Sequence, residues 1–279
     1  MKLINGKLIL SSVSLAILWT IFNVVNYYTN IIDEPIVLDH YIHMEVEHHT
    51  DEFDLYYVTH KNSNQSISHV DLGNEITFVP SSNPSHYNNN PAHSLAYESF
   101  NHYDLHRASL TLKNQSHIDD LFSDTETFST DSIDIYFSDG TVQTKPINLT
   151  LTNLGDVQRA QPTISSTYVN ITTSRTAHFQ VNNDLTLKEI KMDNYIEDNF
   201  TIEYDQQLPT DLARGEEFEF DISYNGDPFL AVNAPLKLIE ADESSSNISR
   251  SIQFQHQHTP NITENEMNEF IETKGGNQK

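Results

Sequence analysis

The sequence predicts an all-β protein, two tandem antiparallel β-sandwiches standing behind an amino-terminal transmembrane helix. Three observations carry that expectation. An uncharged run, Leu8 to Val25, opens the chain. Beyond it, apolar residues recur with a period of two, the signature of strands with one buried face. Turn-forming residues then punctuate those pieces at the spacing of short strands, and helical periodicity is nearly absent.

The opening run, LILSSVSLAILWTIFNVV, follows Lys2 and Lys7, and its first downstream charges are Asp33 and Glu34. At 1.5 Å per residue it reaches about 27 Å as a helix, close to the roughly 30 Å of a bilayer's hydrocarbon core. Tyr27 and Tyr28 add an interfacial aromatic pair at the outer end. The lysines place residues 1–7 in the cytoplasm, 8–28 in the membrane and a short stalk at 29–35 outside. A cleaved secretory leader shares the charged start, but it has a shorter apolar core and ends in small residues, where this chain has Trp19, Phe22 and Asn23. The expectation is therefore a retained single-pass anchor with the bulk of the chain extracellular.

Composition narrows the function classes. The 279 residues include no cysteine, so no disulfide, thiol nucleophile, lipid-modified cysteine or cysteine-zinc site exists. An external protein without disulfides fits a Gram-positive cell surface better than an animal one. The formal charge is −25, and setting aside Lys2 and Lys7 leaves −27 on the external part. Such a surface repels nucleic acid and favours either simple solvation or basic partners. Eight glycines form neither a GxGxxG nor a P-loop pattern, which argues against nucleotide chemistry.

The first external domain is expected over 36–157. Ile42, Met44 and Val46 alternate with polar neighbours, as do Phe53, Leu55 and Tyr57. Further strands are expected at 67–72, 75–79, 108–112, 132–137 and 141–151. Ser138-Asp139-Gly140 between the last two predicts a hairpin with a two-residue Asp-Gly turn, because glycine tolerates positive φ. Residues 81–91, SSNPSHYNNNP, read as a long surface loop, and a break near 158–163 separates the two domains.

The second domain, expected over 163–243, has strands at 166–172, 176–181, 185–192, 200–204, 217–223 and 235–241. Within it, Ala177 to Asn183 runs into an Asn turn, Leu187 to Ile190 follows, and Leu212-Ala213-Arg214-Gly215-Glu216 leads into Phe218 to Ser223. Over about 164–240 this order of parts resembles bacterial immunoglobulin-like domains, in which a Leu-x-x-Gly-Glu corner feeds a late strand. The resemblance implies an immunoglobulin-like sandwich without the cysteines and tryptophan of antibody domains. A similar order of pieces at 57–61, 67–72 and 75–79 suggests an internal repeat, two such sandwiches in tandem. Residues 244–279 read as a disordered polar tail. Within it Thr263 and Glu266 have capping-box spacing, and Met267, Phe270 and Ile271 share one face of a short helix, expected to dock locally or fray.

Eleven of the fourteen histidines lie between His40 and His117, which makes the first domain the place where metal or proton chemistry would concentrate. His48 and His49 beside Asp51 and Glu52, with His102 and His106 flanking Asp104, are the candidate metal ligands, the second pair sharing a face if that piece is helical. Histidines near carboxylates are equally candidates for a pH response. Loop residues His86 and Tyr87, with His102 and Tyr103, are the candidate contact surface, since tyrosine offers a broad ring with a polar tip. No Gly-x-Ser-x-Gly elbow or His-Glu-x-x-His occurs, so no catalytic residue is assigned and no cofactor is expected. The expected function is a membrane-anchored binding or spacing module of a bacterial envelope, not an enzyme, with an envelope protein or cell-wall component as partner. A histidine-based metal-binding or pH-sensing domain is the alternative.

Overall fold

The computed structural model describes residues 6–275 except 30, 47–50, 62, 74–75, 82–95, 115, 123–125, 154–163, 172–173, 182–183, 206 and 241–250. Strand accounts for 53% of it and helix for 18%, so the all-β expectation holds. Helix α1 (Gly6–Thr29) carries the apolar run, and its described side chains, residues 11–25, are exposed on every side, Trp19 at 67% and Phe22 at 62%. Among the described residues no helix is long and apolar enough to cross a membrane.

The first half contains β1 (Ile36–Val37), β2 (Asp39–Val46), β3 (Glu52–His60), β4 (Ile67–Asp71), β5 (Thr77–Pro80), β6 (Glu98–Ser99), β7 (Tyr103–Leu112), helix α2 (Ser116–Leu121), β8 (Thr127–Phe137) and β9 (Val142–Asn153). These strands hydrogen-bond in the order β1-β3-β7-β5-β4-β8-β9-β2, with β6 on β7. Only Leu38 separates β1 from β2, so the sheet curls until both of its ends are the same stretch of chain. The first half is thus a single rolled sheet instead of two facing ones. Its core is filled from nearly every strand, by Ile42, Phe53, Leu55, Val70, Phe78, Leu110, Ile135 and Leu151 among others, all nearly inaccessible. Rolling the sheet closes its apolar face on itself and leaves few free edges.

The second half has β10 (Ile164–Ile171), β11 (Ser174–Val181), β12 (Leu185–Lys191), β13 (Phe200–Glu203), β14 (Thr210–Leu212), β15 (Glu217–Tyr224), β16 (Leu230–Glu240) and β17 (Ser251–His258). A four-stranded sheet, β10-β11-β15-β13, faces β16-β12-β14. Phe179, Phe218, Phe220 and Ile222 from the first sheet meet Leu187, Leu212, Val232, Leu236 and Leu238 from the second in one core. The corner is built as its sequence requires: Gly215 sits at φ +86°, its N–H bonds Val181 O at 2.7 Å, and the Ala213 N–H bonds the Glu216 carboxylate at 2.9 Å.

The two halves are not separate sheets. Strand β2 runs parallel to β9 on one edge, pairing Tyr41–Val46 with Asn148–Asn153, and parallel to β16 on the other, pairing Asp39–Ile42 with Leu230–Asn233. The internal repeat does not extend to pairing, because β4 and β5 bond each other while β12 and β13 lie in different sheets. The hairpin between β8 and β9 forms, but its loop has three residues, since Phe137 N–H bonds Thr141 O at 2.9 Å and Gly140 takes the positive φ.

The carboxyl-terminal segment differs most from expectation. Instead of a disordered tail, β17 pairs along β16 from Val232↔His258 to Ile239↔Ser251, and helix α3 (Glu264–Gly275) follows. The capping box is present: the Thr263 N–H and hydroxyl donate to a Glu266 carboxylate oxygen at 2.8 and 2.6 Å, and Glu266 N–H returns to the Thr263 hydroxyl at 3.4 Å. Helix α3 docks on the first half. Ile262, Met267 and Ile271 join Ile32, Ile36, Leu38, Tyr56, Val58, Tyr103 and Leu105 in a third core at the root of α1. Phe270 stacks on Phe229, ring centres 4.2 Å apart.

Candidate functional site

Strand β2 organises the most polar part of the interior. Its alternation sends Ile42, Met44 and Val46 into the rolled sheet and turns Tyr41 and His43 towards the second half. Both faces of the strand are therefore interior, and the polar side chains they carry must find partners there.

On the second-half side, Asp193 gathers three donors. His43 Nδ1 lies 2.6 Å from its Oδ2, the Tyr195 N–H reaches its Oδ1 at 3.1 Å, and the Tyr41 hydroxyl bonds the same carboxylate. Because an ionised carboxylate only accepts, the imidazole proton belongs on Nδ1. Burial alone would push the Asp193 carboxyl upward, but the bonds from His43, Tyr195 and Tyr41 outweigh it and hold the group below its ordinary value. Burial and the neighbouring carboxylate push Tyr41 the other way, well above the ordinary phenol range. The Tyr41 ring lies flat against that of Tyr195, centres 4.9 Å apart and planes at 8°, and Tyr195 is 70% exposed. His43 Nε2 faces the Thr152 hydroxyl of β9 at 3.5 Å. The order hydroxyl, imidazole, carboxylate has the polarity of a proton relay, but Thr152 is a hindered secondary alcohol held in the β9 ladder between β8 and β2. The arrangement is better suited to clasping β2, β9 and the 193–195 turn together.

On the opposite side, His40 is 5% exposed and makes two main-chain bonds. Its Nε2 accepts the Tyr56 N–H at 2.8 Å, so Nδ1 carries the proton and donates to Leu38 O at 2.8 Å. Burial lowers its pKa to about 4 against the opposing pull of the Leu38 carbonyl. His40 lines a small cleft, partly open to solvent, with Asp54, Tyr56, Asn233 and Thr259 among others. Asp54 is already committed there, to Arg107 at 2.8 Å and to the Ser109 hydroxyl at 2.6 Å.

No family model matches this chain, and no curated protein matches it either.

The residues singled out from sequence fall elsewhere. His48, His49, His86 and Tyr87 lie outside the described residues. His106 is 4% exposed on β7, a strand and not a helix; its Nε2 is 2.8 Å from the Thr59 hydroxyl, its ring stacks on Tyr57, and burial lowers its pKa against a raising effect from Asp104. His102 sits in the bend before β7, where its carbonyl accepts the Lys61 N–H at 2.8 Å. Tyr103 is no contact residue: at 2% exposure it turns inward beneath α3, and burial first, then Glu272 and Glu264, push its phenol upward. Among the described residues no group of three or more histidine and carboxylate side chains is placed to hold a metal ion. The seam residues Tyr41, His43, Asp193 and Tyr195 were not singled out from sequence; their only local signal is that Tyr41 and His43 occupy alternate positions that an outward strand face would use.

Proposed function

We propose that the protein is a single-pass, membrane-anchored extracytoplasmic module of a bacterial envelope that acts by contact with an envelope protein or cell-wall component, and not by catalysis. In this reading α1 is the anchor, the amino terminus is cytoplasmic, and the second half is an immunoglobulin-like sandwich. The observation that carries it is α1 itself, whose described side chains are uncharged, mostly apolar and uncovered on all sides, joined through residues 30–38 to the strand shared by both halves. An apolar helix open all round calls for lipid or protein cover. The corner at Gly215 and the two facing sheets of the second half support the immunoglobulin-like assignment.

Because the chain has no cysteine, single substitutions report topology cleanly. Lys2→Cys and Glu203→Cys variants of the full chain, expressed in a Gram-positive host, are exposed to a membrane-impermeant maleimide before and after lysis. The reading expects label on Glu203→Cys in intact cells and on Lys2→Cys only after lysis. Protection of both positions in intact cells, with recovery in the soluble fraction, would overturn it.

A further inference from the structure

The chain from Ile36 begins as a neighbour of β3. Ile36 pairs with Val58, Val37 with Tyr57, and Leu38 N–H bonds Tyr56 O at 3.0 Å. The next donor on that edge, the Tyr56 N–H, would bond a main-chain carbonyl if the ladder continued. It bonds the imidazole of His40 instead, because from Asp39 onward β2 leaves β3 and takes β16 on that edge. His40 thus replaces one ladder bond at the fork where the second half joins the first. The imidazole does so only while its Nε2 is bare.

We propose that this fork is an acid-operated joint: protonation of His40 releases β2 and β16 from β3 and loosens the second half from the first, while the strands within each half stay paired. A second proton turns Nε2 from acceptor to donor and sets it against the Tyr56 N–H, so one of the two must move. Among the described residues facing the ring, none supplies a compensating negative charge. Of the groups facing the ring, Asp54 on β3 is neutralised by Arg107, Tyr56 is a neutral phenol with its ring near-parallel at 6.2 Å, and Ala231, Val232 and Asn233 on β16 and Thr259 after β17 carry no charge. The same fork is the narrowest connection between the halves on this edge, four register pairs between β2 and β16. The clasp of His43 on Asp193 lies on the other face of β2 and, with its proton on Nδ1, is complete whether the His43 ring is neutral or charged. The joint is independent of whether α1 sits in a membrane.

The test uses the full chain in detergent micelles with Asp119→Cys and Glu203→Cys, exposed positions in the two halves, labelled as a donor and acceptor pair. Energy transfer and far-ultraviolet circular dichroism are followed together from pH 7.5 to 4. The expected result is one step in transfer below pH 6.5 with the strand signal intact, absent in His40→Gln, whose amide can both accept from Tyr56 and donate to Leu38 without titrating. The ¹⁵N resonance of His40 Nε2 in the unsubstituted ring must change with the same midpoint, a readout that stands even if His40→Gln does not fold. A step that survives in His40→Gln, a His40 titration near pH 6.5 with no change in transfer, or a transfer change that coincides with loss of the strand signal would overturn the proposal.

Discussion

Removing the Asp193 carboxylate should cost this protein far more than an ordinary surface charge, because three donors from both halves converge on it. In Asp193→Ala the His43 Nδ1 proton, the Tyr195 N–H and the Tyr41 hydroxyl lose their shared acceptor. Tyr41 is only 6% exposed, so its hydroxyl cannot simply turn to water. A bond to an ionised group contributes about 1.5–3 kcal/mol, and an abandoned buried donor costs about 1–3 kcal/mol. The His43 and Asp193 side chains are 21% and 17% exposed, so some of the attraction is screened by water and the three bonds will not add. A loss of about 3 kcal/mol follows, read by urea denaturation at pH 7 with an unchanged denaturant slope. The cycle with His43→Ala should return a coupling of about 1–2 kcal/mol. Asp193 is held below its ordinary value in the folded state, so its stabilisation is complete above the unfolded carboxyl value and is lost as pH falls through the lower folded one. Strong acid should accordingly bring Asp193→Ala and the parent chain together. A loss under 0.5 kcal/mol, or no coupling to His43, would mean that the clasp forms no part of what joins the halves.

His40 makes a pH signature of the same sign in a higher window: its folded value of about 4 lies below the free-imidazole value, so stability is full above about pH 6.5, falls as pH drops below it, and levels off near 4. The whole effect is about 3 kcal/mol, and His106 adds to it in the same direction, so denaturation midpoints at pH 7 and pH 5 should differ clearly, and the gap should narrow in His40→Gln to the part that His106 leaves. Thr263→Ala should cost about 1 kcal/mol by removing both bonds of the Thr263 hydroxyl while the main-chain N–H keeps its bond to Glu266, with hydrogen exchange in α3 accelerated ahead of the sheets. Gly140→Ala meets no atom within 4 Å, so any destabilisation must be backbone strain at φ +90°, about 1 kcal/mol, whereas an unchanged midpoint would show the hairpin loop adapting.

What was legible in the sequence is what depends on neighbours in sequence. Phe53, Leu55 and Tyr57 recur at alternate positions because they line the face of β3 that fills the rolled sheet, and all three prove fully buried. Thr263 and Glu266 are three residues apart, which is all that a capping box needs, and Gly215 advertises a positive φ that few other residues accept. What was not legible is pairing. Parallel partners carry no hairpin turn between them, so nothing local ties β2 to β9 or to β16, and nothing ties His43 to Asp193, 150 residues later. Counting histidines drew attention to His102 and His106, yet a strand has two faces. His106 turns to Thr59 and Tyr57, while the rings that join the halves belong to His40 and His43, which look unremarkable in a run of alternating residues. The tail misled for a related reason. Its Gln/His alternation offers little apolar pattern, but all of β17 pairs with β16, from Val232 to Ile239, in main-chain bonds that no local signal announces.

The continuity of the sheet bears on what the amino-terminal helix can do. If the halves were beads on a linker, a helix attached to the first would say little about the orientation of the second. Here the chain leaves α1, contributes Ile32 and Ile36 to the core under α3, and within a few residues becomes the strand bonded to β9 on one edge and β16 on the other. The root of α1 therefore touches three structures at once: the rolled sheet, the edge of the sandwich and the carboxyl-terminal helix. Main-chain ladders of six and four register pairs on opposite edges of one strand resist sliding far better than a surface contact between domains would. Whatever binds the outer end of either half is then held at a fixed attitude to α1, and the fork at His40 is where that attitude is most easily changed.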